Sequence, residues 1–442
     1  MVLTGLGAAV AQESPEGAPP APVYAQLVEQ LRAQDARLKE LEAEVGQLRQ
    51  AQAGQPGAAA QPANTEAAAA ADAAALTAAS SAPVAPAESG GHDMSMTSGP
   101  TLNIRGFFDY NFGVGSIANP LVFPIIDDGC ETCGNPPTPP HSAFQADEFD
   151  LFMTSKLADR LSFLAEMVFG PDTTNEFSID IERYTLTYKA NRYFSANAGR
   201  VHTSIGYYNT AYHHGNWFST ATGRPIMYLF EDSGGILPVH LVGLSFTGAV
   251  PKTQKLGLHW VGEVGNGLSS NSYVAESVQN FYSDRNYKAT NIAAYIKPEL
   301  LPGAQIGGSW YHDGLNPTGV PEVRQNIESA HVVFFNSAWE SMTEGVMLSN
   351  HLMGTPAPLR SPMAYTQVAR KFGIYKPYFR YQYVRDNPKD PVNLLKGTYY
   401  GPSIGLRTDF SEYVAFKLQF NHLFESNQSA GNGLDSQLAF TF

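Results

Sequence analysis

Charge is what this sequence has least of. Lys, Arg, Asp and Glu together make up 16% of the chain, against about 25% in ordinary soluble domains. The basic residues are fewer still, 28 against 41 acidic, for a formal charge of −13. That balance argues against a nucleic-acid partner, which would require a basic face. Long apolar runs are missing too, and none reaches the roughly 18 residues of a membrane-spanning helix. Cysteine is nearly absent: the two present stand together as Cys130-Glu-Thr-Cys133. Haem attachment would need His after the second Cys, where Gly134 stands, and no second ligand pair is at hand for a metal centre. A small loop disulfide, or two thiols without a special role, is the expectation, and no cofactor or metal is expected.

What is plentiful is aromatic side chains, 12% of the residues, with 40 glycines. An aromatic-rich chain of moderate polarity without long apolar runs is either a soluble all-β protein or a membrane barrel. In a barrel the apolar side chains hide in alternation.

Three segments follow along the chain. In residues 1–23, Ala9-Val10-Ala11 before Gln12 has the A-x-A form of a signal-peptide cleavage site, which reads as a signal-peptide remnant and disordered N-terminus. In residues 24–48, Tyr24, Leu31, Leu38 and Val45 share one heptad position and Leu27, Gln34, Leu41 and Leu48 the other. That spacing predicts a short parallel coiled coil, with Gln34 helping to fix register or oligomer state. Residues 49–100 are Ala, Pro, Gly, Ser and Gln, a disordered linker that cannot bury enough surface to offset its ordering entropy. His92, Met94 and Met96 within it are too few and too loosely placed for a soft-metal site.

From Thr101 to Phe442 the pattern has period two. Val414, Phe416, Leu418 and Phe420 alternate with Ala415, Lys417, Gln419 and Asn421. Strands are expected near 101–114, 144–158, 161–171, 177–190, 193–209, 239–251, 255–267, 286–299, 304–314, 324–337, 339–351, 361–372, 375–387, 398–410, 414–426 and 433–442. That is an even number, about sixteen, most of them longer than the 5–6 residues of soluble strands and matching the roughly 9–11 of a tilted membrane strand. A phase switch within 177–190 predicts a bulge. Turns such as Asp159-Arg160 and Ser411-Glu412-Tyr413 are tight, whereas 117–143, 210–238 and 268–285 are long. Short turns on one side and long loops on the other mark an outer-membrane barrel. The expected fold is all-β: a transmembrane 16-stranded antiparallel β-barrel over 101–442, preceded by a coiled-coil helix and linker in the periplasm.

The chain ends Leu438-Ala-Phe440-Thr-Phe442, which looks like the C-terminal sorting signal of outer-membrane barrels. The order coiled coil, linker, sixteen-stranded barrel resembles the phosphate-selective porin O/P family. Ala198-Gly-Arg200-Val-His202-Thr-Ser-Ile-Gly206 is loosely similar to that family's Gly-x-x-Lys-x-Pro-Phe-Gly stretch, with Val201 in place of the lysine and Ser204-Ile205 in place of Pro-Phe. The resemblance implies a Gram-negative, homotrimeric porin, joined through barrel and coiled coil, that passes small hydrophilic solutes or ions. It implies the barrel-assembly machinery as a partner for Phe442 and outer-membrane lipid around the wall; the missing lysine puts phosphate preference in doubt.

By the same resemblance the loop 210–238 folds into the lumen as the constriction and offers His213, His214, Trp217, Arg224, Tyr228, Glu231 and Asp232. The polar phase of the strands adds Arg105, Lys376, Arg380, Arg407 and Lys417, which make one basic strip if the last strand closes on the first. Asp109, Glu148, Asp150 and Glu166 form an acidic set beside it. The two sets either hold a transverse field across the pore or pair off to hold its shape. His259 and Glu263 share the lumen phase without making a metal site. The readings to be separated are a diffusion porin, a tether between outer membrane and cell wall or the sheath of an electron conduit, and a barrel enzyme. No G-x-S-x-G is present for the last, and no enzyme is expected.

Overall fold

A computed structural model describes residues 100–115, 142–171, 177–212, 217–229, 235–268, 286–317, 319–392, 397–426 and 430–442. The signal-peptide remnant, the coiled coil 24–48, the linker up to residue 99 and Cys130 and Cys133 lie outside them.

Sixteen strands close into one antiparallel barrel in which each strand pairs with its sequence neighbours and the last with the first. They are β1 (Thr101–Gly115), β2 (Ala143–Ala158), β3 (Leu161–Pro171), β4 (Phe177–Asn191), β5 (Phe194–His202), β6 (His240–Ala249), β7 (Leu258–Asn266), β8 (Ala289–Ile296), β9 (Ala304–Leu315), β10 (Val323–Phe335), β11 (Trp339–Leu352), β12 (Leu359–Arg370), β13 (Tyr375–Asp386), β14 (Gly397–Asp409), β15 (Val414–Glu425) and β16 (Gly431–Thr441). The seam between β1 and β16 runs from Phe107↔Thr441 to Gly115↔Gly433. Beyond it, Gly106 and Phe442 exchange two backbone hydrogen bonds. Closure leaves no edge strand, the condition for a sheet to cross lipid.

Burial is inverted relative to a soluble protein. Ile292, Val332 and Ile404 are 63%, 53% and 59% exposed, while Arg380, Lys417 and Gln437 on inward positions are 1%, 0% and 0% exposed. Apolar residues therefore form the outer face and polar ones the inner, as lipid outside and a polar interior require. Aromatic rings collect at both rims: Phe194 with Trp260 on the short-turn side, and Tyr400 stacked on Phe424 on the other. Such rings suit an interface because one end is apolar and the other wet.

The phase switch anticipated in the fourth strand is a bulge. Arg183 pairs with Glu166 but Ile181 with Met167, leaving Glu182 as the extra residue. The fifth strand is shorter than expected, ending at His202 instead of 209. The chain turns away there because Thr203 Oγ1 donates to Pro238 O, Ser204 donates through its amide and hydroxyl to Glu263, and Gly206 takes a left-handed φ of 75°. A Cβ at Gly206 would meet the Tyr228 hydroxyl and Glu344, so no other residue fits this corner without displacing them. The seventh strand starts at Leu258, not 255, because Gly257 closes a turn by donating to Thr253 O.

Candidate functional site

Between β5 and β6 the described residues of the segment 203–239, which are 203–212, 217–229 and 235–239, run inside the barrel. The segment carries one helical turn, α1 (Tyr208–Ala211), and a 3-10 turn over Ile226–Tyr228. Its side chains are buried: Ile205, Tyr208, Ile226, Met227, Tyr228, Leu229 and Leu237 join one core with inward residues of β10–β13 such as Ile327, Val346, Met363 and Val384. Trp217 and Phe218 pack against Phe107 and Phe152 from β1 and β2. The segment and apolar inward residues of the wall therefore share a core inside a barrel that is otherwise lined with polar groups.

Two anchors hold it. Glu344 on β11 accepts from the backbone amides of Tyr207 and Tyr208 and from the hydroxyls of Tyr228 and Tyr365. The carboxylate thus caps the first turn of α1, where orphan amides favour an anion. Burial, then the neighbouring Glu344 charge, pushes the Tyr228 phenol well above its ordinary value, so it stays a donor. Gly206 N donates to Ser329 Oγ on β10, fixing the corner above.

The second anchor is the basic strip. Lys376, Arg407, Lys417 and Gln437 are directly paired across β13–β16 in a single row that continues to Asn111 on β1. Arg407 Nη1 donates to the carbonyls of Trp217 and Ser219 at 2.6 and 2.9 Å. Lys417 Nζ donates to Ser219 Oγ, Ala221 O and Gln437 Oε1. Arg380 Nη1 donates to Gly223 O, and Lys376 Nζ reaches Thr220 Oγ1 and Glu340. The four cations are therefore committed to the carbonyls and hydroxyls of residues 217–223, in charge-assisted bonds of the stronger kind. Arg105 is not part of the row: it lies six positions before Asn111, about 20 Å along the strand, and is half-buried near the short-turn rim.

The acidic set is also engaged. Asp109 accepts from Asn111 and Gln437. Glu148 lies 3.7 Å from Arg224 of the segment, and Glu166 is paired with Arg183. Asp150 is buried beside them. His213, His214, Glu231 and Asp232 lie outside the described residues. Sequence reasoning passed over Glu344, Ser329, Glu340, Gln382 and Gln419, the last two holding Ile226 N and Thr222 O. Their inward phase was readable, but nothing local distinguishes an inward carboxylate that grips a segment more than a hundred residues away.

The described residues of the segment thus bond chiefly to β10–β16, with Ser204 also held by Glu263 on β7. Beside the segment lies a cavity of 380 Å³, lined by hydroxyl and amide side chains together with charged and apolar ones such as Lys156, Arg183, Glu263, Lys297, Phe163 and Val261, and by Ser204, Tyr207 and Thr210 of the segment.

No protein-family model and no curated protein matches the sequence. Solved structures do match in shape. An anion-selective porin from Comamonas acidovorans superposes with a TM-score of 0.54 at 8% identity over 78% of this chain and 100% of that one. OmpF of Salmonella typhi, solved as a complex with daunomycin, gives 0.52 at 9% over 78% and 98%. OmpT, an outer-membrane protein of Vibrio cholerae, gives 0.50 at 9% over 79% and 100%. Likeness at such low identity establishes the fold, a closed sixteen-stranded barrel of the outer-membrane porin type.

Proposed function

We propose that the chain is a porin of a bacterial outer membrane, a passive water-filled channel for small hydrophilic solutes narrowed by the segment 203–239. One observation carries this reading: a barrel apolar outside and polar inside holds one of its own connections within the lumen, pinned chiefly to β10–β16 with a cavity left beside it. Such an arrangement sets a size limit without a moving part, and selectivity then depends on what lines the uncovered wall. By its resemblance the channel works as a homotrimer, with the coiled coil 24–48 in the periplasm and Phe442 engaging the assembly machinery.

Liposome swelling with uncharged solutes of graded size tests the reading. Fast entry of small solutes with a sharp cut-off is expected of the purified, folded barrel; vesicles that swell no faster than protein-free controls contradict it.

A further inference from the structure

The inward faces of the barrel divide into two unlike halves. One row, Lys376–Arg407–Lys417, is cationic and hidden beneath the segment. On the opposite wall another row of directly paired residues runs Ser162–Thr187–Asn197–Ser245–Glu263–Asn291 across β3–β8. Strands in a closed barrel are tilted, so a row perpendicular to them climbs as it goes round. This one rises from the short-turn rim, beside Lys156, toward the middle of the lumen. Its side chains are already linked: Thr187 Oγ1 donates to Asn197 Oδ1, Asn197 Nδ2 to Ser245 O, and Asn291 Nδ2 to Glu263. Thr185 and Thr247 lie beside it along the 380 Å³ cavity, a volume within the roughly 300–1,000 Å³ of small-molecule sites.

The charges bordering this cavity are paired, apart from the Lys297 ammonium, which has an aromatic ring and, among the described residues, no acid beside it. Arg183 is paired with Glu166, and Glu263 accepts from Ser204 and Asn291. Lys156 lies 3.5 Å from Asp159, and the Lys297 ammonium sits over the Tyr295 ring at the rim. His331 is buried, with Nε2 held by Gln305, while its Nδ1 has no partner among the described residues. Apart from Lys297 at the rim, an ion entering here would give up hydration without meeting an uncommitted counter-charge. A polyol loses less, because each of its hydroxyls both donates and accepts, as do the threonine, serine and asparagine groups that face it.

Resting on the porin reading and naming the solute class it serves, we propose that this row and cavity form a binding site for neutral polyhydroxylated solutes of mono- to disaccharide size. The site lies on the uncovered wall between the short-turn mouth and the segment.

The test uses the full-length folded protein in detergent and in planar bilayers, with glucose, maltose and glucose 6-phosphate as probes. Calorimetry is expected to show saturable binding of glucose and maltose. Thr187→Val, which keeps the shape of the side chain, combined with Asn197→Leu, is expected to weaken it about tenfold, the effect of losing one to two neutral hydrogen bonds. Thr187→Val alone gives a smaller loss in the same direction, should the double variant fail to fold. Binding of glucose 6-phosphate but not glucose, abolished by Lys297→Gln, overturns the proposal in favour of an anion site; no binding of any probe overturns it outright. Ion current in the same preparation separates the two levels: current without sugar binding refutes the solute class alone, and sugar binding without current refutes the channel.

Discussion

At the scale of single residues, Glu344 and Arg407 do the most to decide where the segment lies. The Glu344 carboxylate receives four donors. Glu344→Gln puts an amide in that place, whose NH₂ cannot accept, so at least one buried donor is left unsatisfied at a cost of about 1–3 kcal/mol. The barrel, paired strand to strand, is expected to stay folded while the segment loosens, and open-channel current noise is the readout: higher in the variant than in wild type. Arg407→Ala removes bonds to the carbonyls of Trp217, Phe218 and Ser219 and the pair with Asp409, with an expected loss of roughly 2–3 kcal/mol, read as a lower melting temperature in detergent. Lys376, Arg380, Arg407 and Lys417 were legible as inward-facing from alternation alone. What they touch was not, because a carbonyl partner some 190 residues away leaves no mark in the local pattern.

At the scale of elements, strand positions were readable because each inward–outward alternation is bounded by a tight turn, and a membrane wall enforces that alternation along most of each strand. The exception is informative. Alternation continues past His202 as far as residue 209 on paper, yet the wall stops at His202 because Ser204 and Gly206 find partners inside the lumen. The root of the segment carries a second constraint, Gly199, whose φ is 135° and where a Cβ would press on the Tyr184 carbonyl. Gly199→Ala is expected to cost about 1–3 kcal/mol in backbone strain alone and to lower the folded fraction, seen as loss of the heat-sensitive fast-migrating band on gels. On the outer face, Ile404→Arg places a charge in lipid at a cost of about 2–4 kcal/mol if it sits at the midplane. Folding yield into lipid vesicles should fall, while Ile404→Leu should leave it unchanged.

At the scale of the whole molecule, an inside-out barrel can dispense with a packed interior, and this one builds a partial one from its own connection. The cationic row, expected either to hold a field across the pore or to pair off and hold its shape, donates to that connection, and the cavity beside it mixes hydroxyl and amide groups with paired charges and apolar side chains. Net charge was therefore a poor guide to the pore, because the inward charges of the described residues are largely engaged with one another or with the segment. On the porin reading, the segment narrows a conducting lumen without being needed for closure of the barrel. Single-channel conductance in planar bilayers, wild type beside a variant with residues 217–229 replaced by a short Gly-Ser link, tests it directly. The account predicts stepwise openings in both and at least twofold larger steps in the variant; a silent wild type, or steps of equal size, would contradict it.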